Sequence, residues 1–137
     1  DIDAVEAPIS SGSFRSAGMA VVPCSVGTLA RIAHGISDTL LTRAADVCLK
    51  EGRRLILAVR ETPLSKIHLA NLLRAAEAGA TILPAMPAFY SRPRSLEEMV
   101  DQFLARVLDH LGVEHDLGKR WQPGQARLWI NSPKTAI

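Results

Sequence analysis

An apolar run, Leu55-Ile56-Leu57-Ala58-Val59, stops abruptly on the charged pair Arg60-Glu61. In an open α/β sheet, ligands bind at the carboxyl ends of the strands, so charges placed there point to a ligand or partner. Arg60 can take an anion in bidentate fashion, and Glu61 can accept or donate a proton or simply pair with Arg60. Arg43, Lys50 and Arg106 are further cations that could converge on the same anion, although solvation at the surface is the usual fate of such side chains. Ser25 and Thr28 follow a second apolar run, Met19 to Val22, where a helix opens. Hydroxyls and free backbone N–H groups in that place suit a phosphate, and they serve equally well as an ordinary N-cap. Tyr90, behind Pro84, Pro87 and Phe89, is either core or a phenol that needs a hydrogen-bond partner. His34 and His68 have no cysteine or carboxylate at ligand spacing, which argues against zinc. No G-x-S-x-G elbow or Ser-His-Asp arrangement is present.

The elements that must position these residues alternate between strand and helix. Met19 to Val22 predicts a short buried parallel strand ended by Pro23, followed by a helix start at Leu29 to Ala33. Asp38 is the expected N-cap of the next helix, whose apolar positions 40, 41, 44, 45, 47 and 48 keep helical spacing up to Gly52. Arg54 to Val59 is the second strand. Ser65 opens a helix running to about Ala78 and closed by Gly79, and Thr81 to Leu83 is the third strand. Ser95 with Glu98 three residues on predicts a capping box and a long helix to about Leu111. Strand and helix in this order imply a parallel sheet with crossover helices. Three strands make a thin sheet, and the Gly-rich phosphate loop usual on a first strand is absent.

Composition narrows the class. The chain has 137 residues, enough for one domain with one core. Aromatics are only 4%, so aliphatic side chains must fill that core, and a net charge of +2 is too small to argue for nucleic acid or a membrane surface. No apolar run approaches the roughly 18–20 residues that span a bilayer. Cys24 and Cys48 show no metal-ligand spacing and allow at most one disulfide, and the reading is a reduced, cytoplasmic protein.

Six motifs together add a resemblance: SSGSF (10–14), PCSxxT (23–28), LLTRAADVCLKE (40–51), RETPLSxxHL (60–69), GATILPAMPAFY (79–90) and RW (120–121). Over roughly residues 8–121 the sequence resembles the flavin prenyltransferases of the UbiX type, formerly labelled aromatic-acid decarboxylases. The resemblance implies a flavodoxin-like or Rossmann-like α/β protomer with a three-layer parallel sheet, assembling into a dodecamer. It implies metal-independent transfer of a dimethylallyl group from dimethylallyl phosphate to N5 and C6 of reduced FMN, the product serving UbiD-type decarboxylases, including those of ubiquinone biosynthesis. Carried over by motif, Ser25, Thr28 and Arg60 would contact FMN. Lys50, Arg60, Tyr90 and Arg106, drawn from more than one protomer, would hold the dimethylallyl phosphate. Glu61 would move protons near the leaving phosphate, and Arg43 and Trp121 would brace or close the site.

The family's N-terminal glycine-rich segment has no counterpart in this sequence. The expectation is therefore that residues 1–121 form the C-terminal two-thirds of a flavoprotein domain, with an N-terminal βαβ unit missing and 122–137 a polar tail. An unpaired sheet edge and weak FMN binding by these 137 residues alone follow from that expectation. Two alternatives stand beside it: a relative of the FMN-dependent cysteine decarboxylases, and a truncated, non-catalytic assembly subunit.

Overall fold

The computed structural model describes residues 2, 4 and 6–118. Three parallel strands, β1 (Gly18–Cys24), β2 (Arg54–Val59) and β3 (Thr81–Ile82), lie in the order β1-β2-β3. Between β1 and β2 run α1 (Val26–Ala33) and α2 (Leu40–Lys50). Between β2 and β3 runs α3 (Lys66–Glu77), and α4 (Leu96–Leu111) follows β3. Single 3-10 turns span Pro8–Ser10 and Phe89–Ser91.

β2 organises the layers. Its five apolar residues, Leu55 to Val59, are all buried. Alternation sends Leu55, Leu57 and Val59 into one cluster with Leu29 and Ile32 of α1, Ala45 and Cys48 of α2 and Ala75 of α3. Ile56 and Ala58 then belong to the other face, and α4 packs on β1 and β2 with Ala105 and Val107 buried. A strand covered on both faces must be continuously apolar, which is why this run lacks the alternation of a half-exposed strand.

β1 is longer than expected, because pairing with β2 continues through Pro23 to Cys24. The register slips on the way: Val21 faces Leu57, but Cys24 faces Val59. Proline offers no N–H to the ladder, and the extra residue is taken up as an irregularity at that point. β3 is shorter than expected, yet the N–H groups of Leu83 and Ala85 still donate to Leu57 O (3.0 Å) and Val59 O (2.9 Å).

The helix caps correct two expectations. Thr39, rather than Asp38, caps α2, in a reciprocal box with Thr42. Asp38 instead accepts from Arg31 Nε (3.1 Å) and Thr42 Oγ1 (3.3 Å), and the Arg31 bond chiefly holds its carboxyl below the usual carboxylate range. At α4, Ser95 Oγ accepts from Glu98 N–H (3.1 Å), but the Glu98 carboxylate turns to Arg94 N–H (2.6 Å), so the box is only half made. The second reciprocal box is Ser65 with His68 at the start of α3. Thr and His at the third helical position carry that role without the Glu or Gln that marks the motif. No helix among the described residues is long and apolar enough to cross a membrane.

Candidate functional site

The β1–β2 register decides the first group. Since Cys24 and Val59 are paired, Ser25 and Arg60 leave neighbouring strands side by side. Both are exposed. Ser25 caps α1: its Oγ accepts from Thr28 N–H (3.1 Å) and donates to Thr28 Oγ1 (3.0 Å). The cap leaves Thr28 with its own hydroxyl proton to donate, and the first-turn N–H groups of α1 have no helical acceptor. Arg60 is exposed just past the end of β2, so hydroxyls and a cation flank the crevice outside the two strand ends. Glu61 Oε1 accepts from Thr62 N–H (3.0 Å), which folds its carboxylate back on its own turn. Beneath the crevice, burial pushes the Cys24 thiol up to about 11, so a neutral thiol lies there rather than a nucleophile.

A second group forms beside α4. After β3 the chain reaches the 3-10 turn Phe89–Ser91, which Arg92 ends in a left-handed conformation (φ 51°). That turn sets Tyr90 and Ser91 across from Gln102, Arg106 and Asp109 of α4, around a cleft of about 530 Å³. Small-molecule sites fall in this size range. Ser91 Oγ lies 2.5 Å from Gln102 Oε1 and 2.8 Å from Ala88 O, tying the turn to the helix. His115 and Leu117 close the far wall. Tyr90 and Arg106 thus line one cleft, whereas Lys50, Arg60 and Glu61 do not line it.

Lys50 and Arg43 belong to a third group, around the SSGSF segment. Arg43 donates from Nε to Ser10 O (3.3 Å) and from Nη1 to Asp46 (3.3 Å). Arg53 Nη2 donates to Gly12 O (2.5 Å). Lys50 sits in the last turn of α2 and pairs with Glu51 at 2.7 Å, a bond that holds the Glu51 carboxyl below its ordinary value. Gly12 lies against this pair so closely that a Cβ there would collide with Glu51 Oε1 and lie 2.9 Å from Lys50 Nζ. Lys50 precedes the amino end of β2 and Arg60 follows its carboxyl end, about 20 Å apart at strand rise over six residues. Within one protomer these two cations do not converge on one anion.

Trp121 and the segment 122–137 lie outside the described residues. His34 meets Asn71 Oδ1 (3.1 Å) and Arg74 Nη1 (2.9 Å), and His68 Nδ1 accepts from Ser65 N–H (3.2 Å), so both serve helix packing and capping. Cys24 and Cys48 are free and buried. Among the described residues no cluster of three or more His, Cys, Asp or Glu is arranged to hold a metal ion. Ser91, Gln102, Asp109 and His115 were not singled out from the sequence. The only local signal was helical spacing, since 102, 105, 106 and 109 fall on one face of α4.

A parallel α/β sheet with hydroxyls, N–H groups and a guanidinium at adjacent strand ends is chemically suited to a phosphate-bearing aromatic cofactor. A family model described as Flavoprotein matches residues 2–108, and the chain belongs to the flavoprotein family. Within that family it sorts with the UbiX flavin prenyltransferases. Flavin prenyltransferase UbiX of Alkalihalophilus pseudofirmus is 53% identical over 121 residues, 88% of this chain and 60% of that protein. A probable UbiX-like flavin prenyltransferase of Bacillus subtilis is 58% identical over 115 residues, 84% of this chain and 56% of that protein. The crystal structure of AnUbiX in complex with FMN and dimethylallyl pyrophosphate has a TM-score of 0.86 and 52% identity, over 88% of this chain and 64% of that one. A dodecameric FMN-dependent UbiX-like decarboxylase from Escherichia coli has a TM-score of 0.84 and 52% identity, over 88% of this chain and 65% of that one. The chain therefore spans about three fifths of the length of the curated relatives it matches.

Proposed function

We propose that the protein is a flavin prenyltransferase, joining the dimethylallyl group of dimethylallyl phosphate to reduced FMN without a metal. The observation that carries this reading is the register-fixed juxtaposition of Ser25, Thr28 and Arg60 at the strand ends, in a chain 53% identical to a UbiX flavin prenyltransferase. Ser25, Thr28 and Arg60 would hold FMN, which in its reduced form supplies the nucleophilic ring atoms. Tyr90 and Arg106 would receive the phosphate of the allylic substrate in their cleft. When the carbon–oxygen bond breaks, negative charge grows on that phosphate, and a preorganised cation with a phenol hydroxyl stabilises it. Glu61, on the turn after Arg60, would relay a proton.

Lys50 and Arg43 stand at the other end of the sheet, so their share in the phosphate site would come through a second protomer. Unpartnered apolar side chains support such assembly: Ile67 and Leu73 of α3 are 72% and 61% exposed, and Leu96 of α4 is 79% exposed. A dodecamer is the proposed state, Trp121 would brace the site, and a UbiD-type decarboxylase in the cytoplasm would take the product.

The test is anaerobic incubation of the complete protein with reduced FMN and dimethylallyl phosphate, read by mass spectrometry of the released flavin. A flavin that has gained the dimethylallyl group supports the proposal. Unmodified FMN from a protein that binds both compounds overturns it.

A further inference from the structure

Arg106 needs a fixed partner to be well placed. Its side chain is 61% exposed, and exposed arginines lose considerable rotamer freedom when fixed. Its Nη1 donates to Asp109 Oδ2 at 3.1 Å, one turn on along α4. A surface pair of this kind contributes little unless something else fixes its partner. Here the partner is fixed. The other carboxylate oxygen, Oδ1, lies 3.1 Å from His115 Nε2, and the His115 side chain is only 6% exposed.

The His115 ring is oriented in turn. Its Nδ1 lies 3.1 Å from the backbone N–H of Leu117. A backbone N–H only donates, so Nδ1 carries no proton and Nε2 bears the hydrogen given to Asp109. The order is thus Leu117 N–H to His115, His115 N–H to Asp109, and Arg106 N–H to the same carboxylate. The loop that carries His115 is pressed back onto α4 by a close approach. Gly118 has φ 75°, and a Cβ on it would stand 3.1 Å from Ala105 Cβ. Arg106 Nη2 also stands 3.5 Å from His110 Nε2, at the limit of hydrogen bonding. A guanidinium has five N–H groups, so the Asp109 bond leaves others for an anion in the cleft.

We propose that Asp109 and His115 are positioning residues that aim the Arg106 guanidinium at the phosphate of the allylic substrate. This rests on reading the Tyr90–Arg106 cleft as the phosphate site. Neither residue needs to touch the substrate. Asp109 sets where the guanidinium stands, and His115 sets where the Asp109 carboxylate stands.

The experiment measures KM for dimethylallyl phosphate, kcat and FMN affinity in the complete protein carrying Arg106→Ala, Asp109→Asn, His115→Ala or His115→Gln. His115→Ala and Asp109→Asn are expected to raise KM about tenfold and to lower kcat as well, because the same guanidinium holds the phosphate as its charge grows, with FMN affinity unchanged. Gln carries an amide N–H near the position of Nε2, so His115→Gln should bring KM back to within about threefold of wild type. A structural clamp alone would lower the melting temperature and leave KM where it was, and that result overturns the proposal. If His115→Ala does not fold, Asp109→Asn and the Gln variant decide by the same criteria. An Arg106→Ala protein with raised KM beside unchanged Asp109 and His115 variants overturns the positioning role and leaves the cleft assignment standing. An Arg106→Ala protein with unchanged KM overturns the cleft assignment, and the inference with it.

Discussion

The strand-end crevice and the cleft beside α4 both set hydroxyls against a guanidinium, but they reach that arrangement by different routes. At the crevice, Ser25 and Arg60 are neighbours because two buried strands pair in a particular register, and the side chains follow directly from the ends of β1 and β2. At the cleft, Tyr90 and Arg106 are neighbours because a 3-10 turn and a returning loop are both tied to α4, by Ser91–Gln102 and by His115–Asp109. The first rests on backbone pairing in the core. The second rests on side-chain hydrogen bonds near the surface. Damage to the core should therefore affect both sites, whereas damage to either site should leave the other standing.

The largest effect expected is at the shared foundation. Leu57 is fully buried in β2, and Leu57→Ala should cost about 2–5 kcal/mol by removing packed methyl groups and leaving a cavity. Urea unfolding should show it, with flavin binding and prenyl transfer falling together. An unchanged urea midpoint would show that β2 is not the element on which both sites depend.

Next come the two arginines. Arg60→Ala should lose FMN and activity together, while Arg106→Ala and Tyr90→Phe should keep bound flavin and lose prenyl transfer. Losing a charge-assisted phosphate contact costs on the order of 1.5–3 kcal/mol, so tenfold or more is the expected drop. Flavin fluorescence titration beside a turnover assay separates the two sites. Normal turnover in both cleft variants would remove the cleft from the reaction.

A smaller effect is expected at Ser25, whose Oγ caps α1 as well as facing the crevice. Ser25→Ala should lower stability by about 1 kcal/mol, the usual cost of losing an N-cap. Ser25→Thr keeps the cap and should recover most of it. A Ser25→Ala protein as stable as wild type would show that the crevice is not built on the helix cap.

The last effect is a pH dependence, absent at neutral pH. The Cys24 thiol ordinarily ionises near 9.0, and burial raises it to about 11 in the fold. Between those values the unfolded chain has lost a proton that the folded chain retains. Stability should therefore fall as pH rises through that window and be unaffected by this group below it. Urea midpoints compared with those of Cys24→Ala should converge as pH rises. A difference independent of pH would contradict a neutral, buried thiol beneath the crevice.

Much of the fold was legible in the residue order. Continuous apolar runs marked β1 and β2, helical spacing marked α2, Ser95 with Glu98 marked the start of α4, and Ser65 and Gly79 bracketed α3, because burial and capping act on neighbours along the chain. Arg60 at the end of β2 was legible for the same reason: a charge that ends a buried run stands out locally. The family was carried by six matched motifs together rather than by any one spacing.

Other features depended on where distant segments came to rest. The extension of β1 through Pro23 needed β2 beside it to supply partners. The choice of Thr39 over Asp38 as cap depended on Arg31, seven residues from Asp38 in the chain, drawing the carboxylate away. Lys50 and Arg60 are ten positions apart and read as one cationic set, yet a strand between them puts them at opposite ends of the sheet. Asp109 and His115 carried no motif, since neither has meaning until the chain turns at Gly112 and lays His115 against α4. Local pattern determines which segments become strands and helices, because those choices are made by nearby residues. Which charges share an anion is decided by the packing of elements remote in sequence, and only the tertiary structure contains that.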